Sequence, residues 1–225
     1  MRVLLLLLSA AALGATGCLP YAVGMTAETV PQGEVVTGVS SSLVKGSNAL
    51  RRGDVITLPT VDYEARYGID TRTDYGFRIT SLSGVVGSVK RRLNDVDDDV
   101  LVTGQAELGV VNAGNHAYGG ATLLASSSDT RTNGVYGGVR VMAVSPIVRD
   151  AVYDKPTAGG FAGVRIATMT FDLYPELGVF HDPSALNLRT SDWIVVPSIS
   201  VRMRADHIRR PRVPRRPPWE WLKAQ

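Results

Sequence analysis

The stretch Val61 to Ile69, VDYEARYGI, alternates without an error, with Val61, Tyr63, Ala65, Tyr67 and Ile69 on one side and Asp62, Glu64, Arg66 and Gly68 on the other. Side chains of a strand alternate between faces with period two, so the stretch predicts a strand with one apolar and one charged face. The same reading finds period-two runs at Glu34 to Val44, Thr60 to Ile69, Asp74 to Ser81, Gly84 to Leu93 and Val100 to Val111. Five more follow at Ala117 to Ala125, Gly134 to Val144, Gly159 to Thr168, Thr170 to Phe180 and Asp192 to Arg204. Turn residues bound them, and almost nothing reads as helix. The fold class expected is all-β, an antiparallel up-and-down barrel of about ten strands. An even count returns both ends of the barrel wall to one side.

The connections differ in length. DTRTD (Asp70 to Asp74), NDVDDD (Asn94 to Asp99), SSSDTRTN (Ser126 to Asn133) and the break at Met169 and Thr170 alternate with the longer Lys45 to Pro59, Ser145 to Ala158 and His181 to Ser191. SLS (Ser81 to Ser83) and AGNH (Ala113 to His116) are short exceptions on the long-connection side.

The two faces differ in chemistry. One holds Asp62, Glu64, Arg66, Arg78, Lys90, Arg92, Glu107, Arg140, Arg165, Asp172, Glu176 and Arg202, five acids and seven bases. The other reads Val61, Tyr63, Tyr67, Phe77, Ile79, Val102, Leu108, Val139, Val141, Val164, Ile166, Val195, Ile199 and Val201. A water-soluble barrel buries the apolar face; a membrane barrel turns the charged one into its lumen. The apolar face is rich in Val, Ile, Ala and Gly and lacks the large, varied side chains that fill a soluble core. That favours the membrane arrangement, with arginines and carboxylates paired across the lumen. Glycines inside the strands, among them Gly68, Gly76, Gly87 and Gly104, leave room for those arginines. At about ten strands little width is spare, since roughly eight are filled by side chains and 16 to 18 leave a channel.

The first residues, MRVLLLLLSAAALGATGC, have one positive charge, a short apolar run and then small residues, the form of an export signal over 1–17. The apolar run is shorter than the ~20 residues of a membrane helix. ATGC, Ala15 to Cys18, resembles the lipobox of bacterial lipoproteins, which implies diacylation of Cys18, with Leu19 after it implying the outer membrane. Cys18 is the single cysteine, so no intramolecular disulfide forms. Residues 18–33 then read as a lipid-anchor spacer, 34–204 as the barrel and 205–225 as a tail.

From Glu34 to Arg204 the pattern resembles the small outer-membrane β-barrels of Gram-negative bacteria. In place of the aromatic residue that ends the last strand of such barrels, Met203 and Arg204 run into the tail. The resemblance implies an outer-membrane location, lipid as the partner, and interfacial aromatics such as Trp193, Tyr75 and Phe180. The tail, ADHIRRPRVPRRPPWEWLKAQ, has six bases against two acids, while the whole chain of 225 residues is only +3. Its prolines favour an extended chain. Its arginines suit anionic headgroups or a cell-wall polymer, and Trp219 and Trp221 suit a membrane interface. Nucleic acid is not an expected partner of an exported chain.

A hydrophobic content of 44 % and a mean hydropathy of +0.05 fit a soluble or a membrane barrel equally. Histidines are scattered and form no zinc pattern, so no metal or cofactor is expected. His181, Asp182 and Ser184 at a strand end are the one hydrolase-like grouping, but neighbours in a strand point opposite ways, so no catalytic residue is assigned. The expected role is an outer-membrane barrel lipoprotein with a structural, adhesive or narrow-passage function. The alternatives are a lipid-anchored soluble periplasmic barrel that binds a hydrophobic ligand and, third, an outer-membrane hydrolase.

Overall fold

A computed structural model describes residues 19–47, 55–81, 83–95, 97–127, 133–148, 155–183 and 193–203, with the backbone alone at 45–47 and 55–58. Ten strands follow in order: β1 (Val35–Ser47), β2 (Val55–Gly68), β3 (Thr73–Thr80), β4 (Gly84–Arg92), β5 (Val100–Val111), β6 (His116–Ser127), β7 (Gly134–Pro146), β8 (Thr157–Ala167), β9 (Phe171–His181) and β10 (Trp193–Met203). Each pairs antiparallel with its sequence neighbours, and β1 pairs with β10 through Gly38↔Arg202 to Ser42↔Ser198, so the sheet closes into an up-and-down barrel. Closure pairs every strand on both edges and leaves no free edge.

Every expected strand is present. The largest difference in bounds lies between β1 and β2, where the connection expected at Lys45 to Pro59 continues as ladder to Ser47↔Val55. Pro59 reads as a strand breaker because proline cannot donate to a ladder. Here it sits opposite Leu43 within the sheet.

Burial alternates along the strands as strictly as the sequence does: β3 runs partly buried, then buried and exposed in turn, and β10 follows the same rhythm. The outside is the apolar face. Val61, Tyr63, Tyr67, Phe77, Leu108, Val139, Val141, Val195 and Ile199 are all about half exposed or more. The inside holds the charges. All twelve of the residues from Asp62 to Arg202 in the charged set are buried, between 1 % and 9 % exposed. A soluble barrel around an apolar core needs the opposite assignment, so that alternative is contradicted by the direction of the faces. Trp193 and Tyr75 are exposed near strand ends, whereas Phe180 is 1 % exposed and points inward. Phe180 shares the parity of Asp172 and Glu176, which fixes its direction.

The barrel has two distinguishable ends. At the terminal end β1, β3, β5, β7 and β9 begin and β2, β4, β6, β8 and β10 finish, with the turns 69–72 and 168–170. At the loop end β1, β3, β5, β7 and β9 finish and β2, β4, β6, β8 and β10 begin, with the turn 112–115.

Residues 19–30 are not a spacer outside the barrel. They run through its lumen, with Pro20 to Ala27 and Val30 all buried. Tyr21 lies at the loop end, against Val44, Val86, Phe180, Ile194 and Val196. Val23, Met25 and Ala27 pack farther down against Leu101, Leu124, Tyr136, Phe161 and Tyr174. The segment reaches the terminal end, where Gly33 N–H donates to Gly68 O at 2.9 Å and Glu34 N–H donates to Pro31 O at 3.0 Å, and the chain turns back into β1. The physical reason is volume. Much of the wall opposite the aromatic residues carries small inward side chains such as Ser40, Ser200 and Thr80, which leaves space that an extended segment fills.

Gly24 is where that segment comes closest to the wall. Its φ is +55°, a conformation glycine adopts freely, and a Cβ there would stand 1.9 Å from Ser200 Oγ. Gly24→Val is therefore expected to lower stability by about 1–3 kcal/mol, the usual range for overpacking. Gly104→Ala, whose added carbon meets nothing nearer than Leu93 Cδ1 at 3.9 Å, is expected to leave it nearly unchanged. Thermal melting of the folded gel band of the two variants checks this.

Candidate functional site: a charged lumen around an extended segment

An extended segment without a neighbouring strand leaves its backbone N–H and C=O groups unpaired, and buried groups of that kind need partners. The lumen supplies them from side chains. Glu176 Oε1 and Oε2 accept from the N–H groups of Val23 and Gly24, each at 2.9 Å. Ser126 Oγ accepts from Ala27 N–H at 3.0 Å, and Asp74 Oδ2 from Val30 N–H at 2.9 Å. The carbonyls face cations. Arg78 and Arg140 both donate to Ala22 O, at 3.1 and 3.4 Å. Arg202 Nε donates to Gly24 O at 2.7 Å, and Lys90 Nζ donates to Thr26 O at 3.4 Å and to Glu28 O. Carboxylates and the Ser126 hydroxyl thus hold the donors of the segment and cations hold its acceptors, a division that follows from what each group can offer.

Side chains fix the two ends. Tyr21 O–H donates to Asp182 Oδ2 at 2.8 Å, and Thr157 Oγ1 donates to the other oxygen of Asp182 at 3.0 Å. At the terminal end Arg165 donates to Glu28 Oε2 at 2.9 Å, and Thr29 Oγ1 donates to Thr71 O at 3.2 Å.

The same charges pair among themselves along the wall. Glu64 sits among three guanidinium groups, with Arg66 Nη1 at 2.8 Å, Arg78 Nη2 at 3.5 Å, and Arg202 on its other oxygen. Arg66 Nε donates to Asp74 Oδ1 at 2.7 Å, and Lys90 Nζ lies 3.6 Å from Asp74 Oδ2. A second cluster is built on Glu107, which accepts from Tyr118 O–H and Gln105 Nε2 at 2.7 Å each and from Arg140. The expectation that acids and bases pair across the lumen is corrected here. The ion pairs join wall residues on the same strand or within two strands of each other, or join the wall to Glu28, because residues 19–30 occupy the centre.

Of the glycines expected to make room for arginines, Gly76 does so, while Gly87 and Gly104 meet no arginine. A Cβ at Gly76 would lie 2.5 Å from Arg66 Nη1, so the guanidinium lies over the glycine. Arg92 Nη2 donates to Thr71 O at 3.0 Å, and Arg92 and Asp172 line a vestibule of ≈ 1120 Å³ at the terminal end. Asp62 is buried on the same inner face of β2.

The remaining candidates lie apart from this network. Asp182 points inward to Tyr21, while the His181 ring turns the other way and stacks edgewise on Trp193 at 5.2 Å. Ser184 lies outside the described residues, as do Cys18, Trp219 and Trp221. His116 is buried at the loop end, its Nδ1 3.1 Å from Asn112 Nδ2. Among the described residues no three His, Cys, Asp or Glu side chains are grouped to hold a metal ion.

Asp74, Tyr118, Gln105, Ser126 and Glu28 belong to the site but were not among the expected lumen residues. Parity places Asp74 with Arg78, and Tyr118 with the other inward positions of β6, so that signal was present. Tyr21, Val23, Met25 and Ala27 also alternate, a pattern that directly follows the apolar run and small residues at the start of the sequence.

No family model and no curated protein matches the chain. Among solved structures the chain is similar to Neisserial surface protein A, with 13 % identity and a TM-score of 0.37 over 75 % of this chain and 96 % of that one. It is also similar to the attachment invasion locus protein of Yersinia pestis, with 12 % identity and a TM-score of 0.34 over 76 % and 97 % of the two chains. The outer membrane protein OprG from Pseudomonas aeruginosa is similar with 10 % identity and a TM-score of 0.32 over 80 % and 96 %.

Removing one partner of a buried ion pair leaves the other uncompensated, at about 3–5 kcal/mol. Arg140→Leu strips Glu107 of its cation and Ala22 O of a donor, and is expected to destabilise the fold by that amount. Arg72→Leu, which breaks the exposed Arg72–Asp95 pair, is expected to cost about 1 kcal/mol or less. Equilibrium unfolding in urea of the two variants reads the difference directly.

Proposed function

We propose that this chain is a bacterial outer-membrane β-barrel lipoprotein with a structural or adhesive role at the cell envelope. The observation that supports this most directly is the inversion of the wall. An apolar outer surface of Val, Ile, Tyr and Phe would be exposed at large cost in water, whereas it matches the hydrocarbon of a bilayer, and the charges stay inside. The strands of 8 to 14 residues suit a tilted crossing, which needs about 9–11. The longest connections, those after β7 and β9, fall at the loop end, which supports assigning that end to the outside and the terminal end to the periplasm.

A filled lumen argues against general passage. Residues 19–30 run through the lumen and are held by side chains from β3, β4, β6, β7, β8, β9 and β10, which supports a filled barrel over an open channel. That segment lines the vestibule at the terminal end through Met25, Thr26, Glu28, Thr29 and Val30. A lipid on Cys18 adds a hold on the membrane, and the Arg/Pro-rich tail with Trp219 and Trp221 is assigned to anionic headgroups or a cell-wall polymer on the periplasmic side. Lipid is the partner this reading requires. The divergence of His181 and Asp182 gives the hydrolase alternative no support.

The test uses the full chain with Cys18→Ser behind an ordinary cleavable signal. Outer membranes are washed with urea and the protein is run on gels with and without boiling. It is expected to stay in the washed membrane and to change mobility only on boiling. Release into the soluble fraction would contradict the spanning barrel.

A further inference from the structure

The two ends of the lumenal segment lie at opposite ends of the barrel. Tyr21 is bonded to Asp182, just beyond the last residue of β9 at the loop end. Leu19 packs against the apolar cluster at that same end, which includes Phe180 and Ile194. Val30, by contrast, is bonded to Asp74 at the start of β3, and Thr29 to the turn at Thr71, both at the terminal end. Eleven steps from Leu19 to Val30 could span at most roughly 36 Å at about 3.3 Å each. The turn in which Tyr21 N–H donates to Leu19 O and the left-handed Gly24 shorten that reach toward the ~30 Å hydrocarbon core of a bilayer.

The wall of the barrel returns to one side, but the chain as a whole does not. We infer that the mature amino end passes through the chain's own barrel and stands at the outer face of the membrane, so that whatever precedes Leu19 is displayed on the cell surface. This rests on the spanning reading given above. The threading is specific in register as well as direction. Glu176 takes two successive N–H groups, Arg202 takes the carbonyl of Gly24, and Gly24 alone fits beside Ser200.

A consequence concerns the acyl group on Cys18. With the lumen filled, acyl chains attached next to Leu19 belong to the outer leaflet. An anchor in the inner leaflet would draw Leu19 through the full thickness of the membrane and empty the lumen. The filled barrel and the periplasmic anchor exclude each other.

The experiment uses the full mature chain behind an ordinary cleavable signal with Cys18→Ser, expressed in intact cells and treated with a membrane-impermeant maleimide. One form carries a short Ser/Gly extension with a single cysteine ahead of Leu19. Two others carry Ile147→Cys, exposed at the loop end, or Asp97→Cys, exposed in a terminal-end turn. The expected result is that the extension and Ile147→Cys label in intact cells to the same extent, while Asp97→Cys labels only after permeabilisation. If Ile147→Cys labels in intact cells and the extension only after permeabilisation, the threading is overturned and the spanning barrel stands. If Ile147→Cys itself fails to label until permeabilisation, the spanning orientation is wrong and the threading to the surface falls with it.

Discussion

The structure depends on one constraint: a charge placed inside a barrel must be matched by another charge or by a dipole within hydrogen-bond reach. Taking a carboxylate or guanidinium out of water costs several kcal/mol per group, and the cost is recovered only with close, well-directed partners. A barrel of ten strands brings its inner side chains near one another along the wall but leaves its axis empty. Glu64 with its three arginines and Glu107 with Arg140 and Tyr118 show the wall solving part of the problem by itself. The rest is solved by residues 19–30, whose backbone offers donors to Glu176 and Asp74 and acceptors to Arg78, Lys90 and Arg202. The lumenal charges thus form a mould for a piece of extended backbone.

That mould explains features which are odd in isolation. Arg78 and Arg140 come from β3 and β7, on different parts of the wall, yet converge on one carbonyl, that of Ala22. Gly24 adopts a left-handed conformation at the one place where the segment meets Ser40 and Ser200. The aromatic residues inside, Tyr136, Phe161 and Tyr174, form the apolar side of the same groove and receive Val23 and Met25. One face of the segment is therefore held by packing and its backbone by charge. The combination aligns it without a β-ladder.

Much of this was legible in the sequence, and the reason is that strand parity is unforgiving. A shift by one residue sends every side chain to the other face, so VDYEARYGI fixes which residues of β2 look inward once the register is set. The ten strands and the inward set from Asp62 to Arg202 follow from that rule alone. Phe180 has the strand-end position of an interfacial aromatic, but its parity sends it inward. Pro59 reads as a break, yet the β1–β2 ladder runs past it to Ser47↔Val55. The lumenal segment is hidden from strand parity for a deeper reason. Its partners are side chains from β3, β4, β6, β7, β8, β9 and β10, a convergence that exists only after closure, and its alternation of Tyr21, Val23, Met25 and Ala27 adjoins an apolar run that invites a different reading.

The central claim is that residues 19–30 complete the barrel by filling it. Planar-bilayer recording tests this most directly, comparing the intact chain with one lacking residues 19–30, both shown to change gel mobility on boiling. The intact chain is predicted to leave the bilayer at its baseline current and the shortened chain to open discrete, lasting conductance steps. Steps of equal size from both proteins, or silence from the folded shortened chain, would contradict the account.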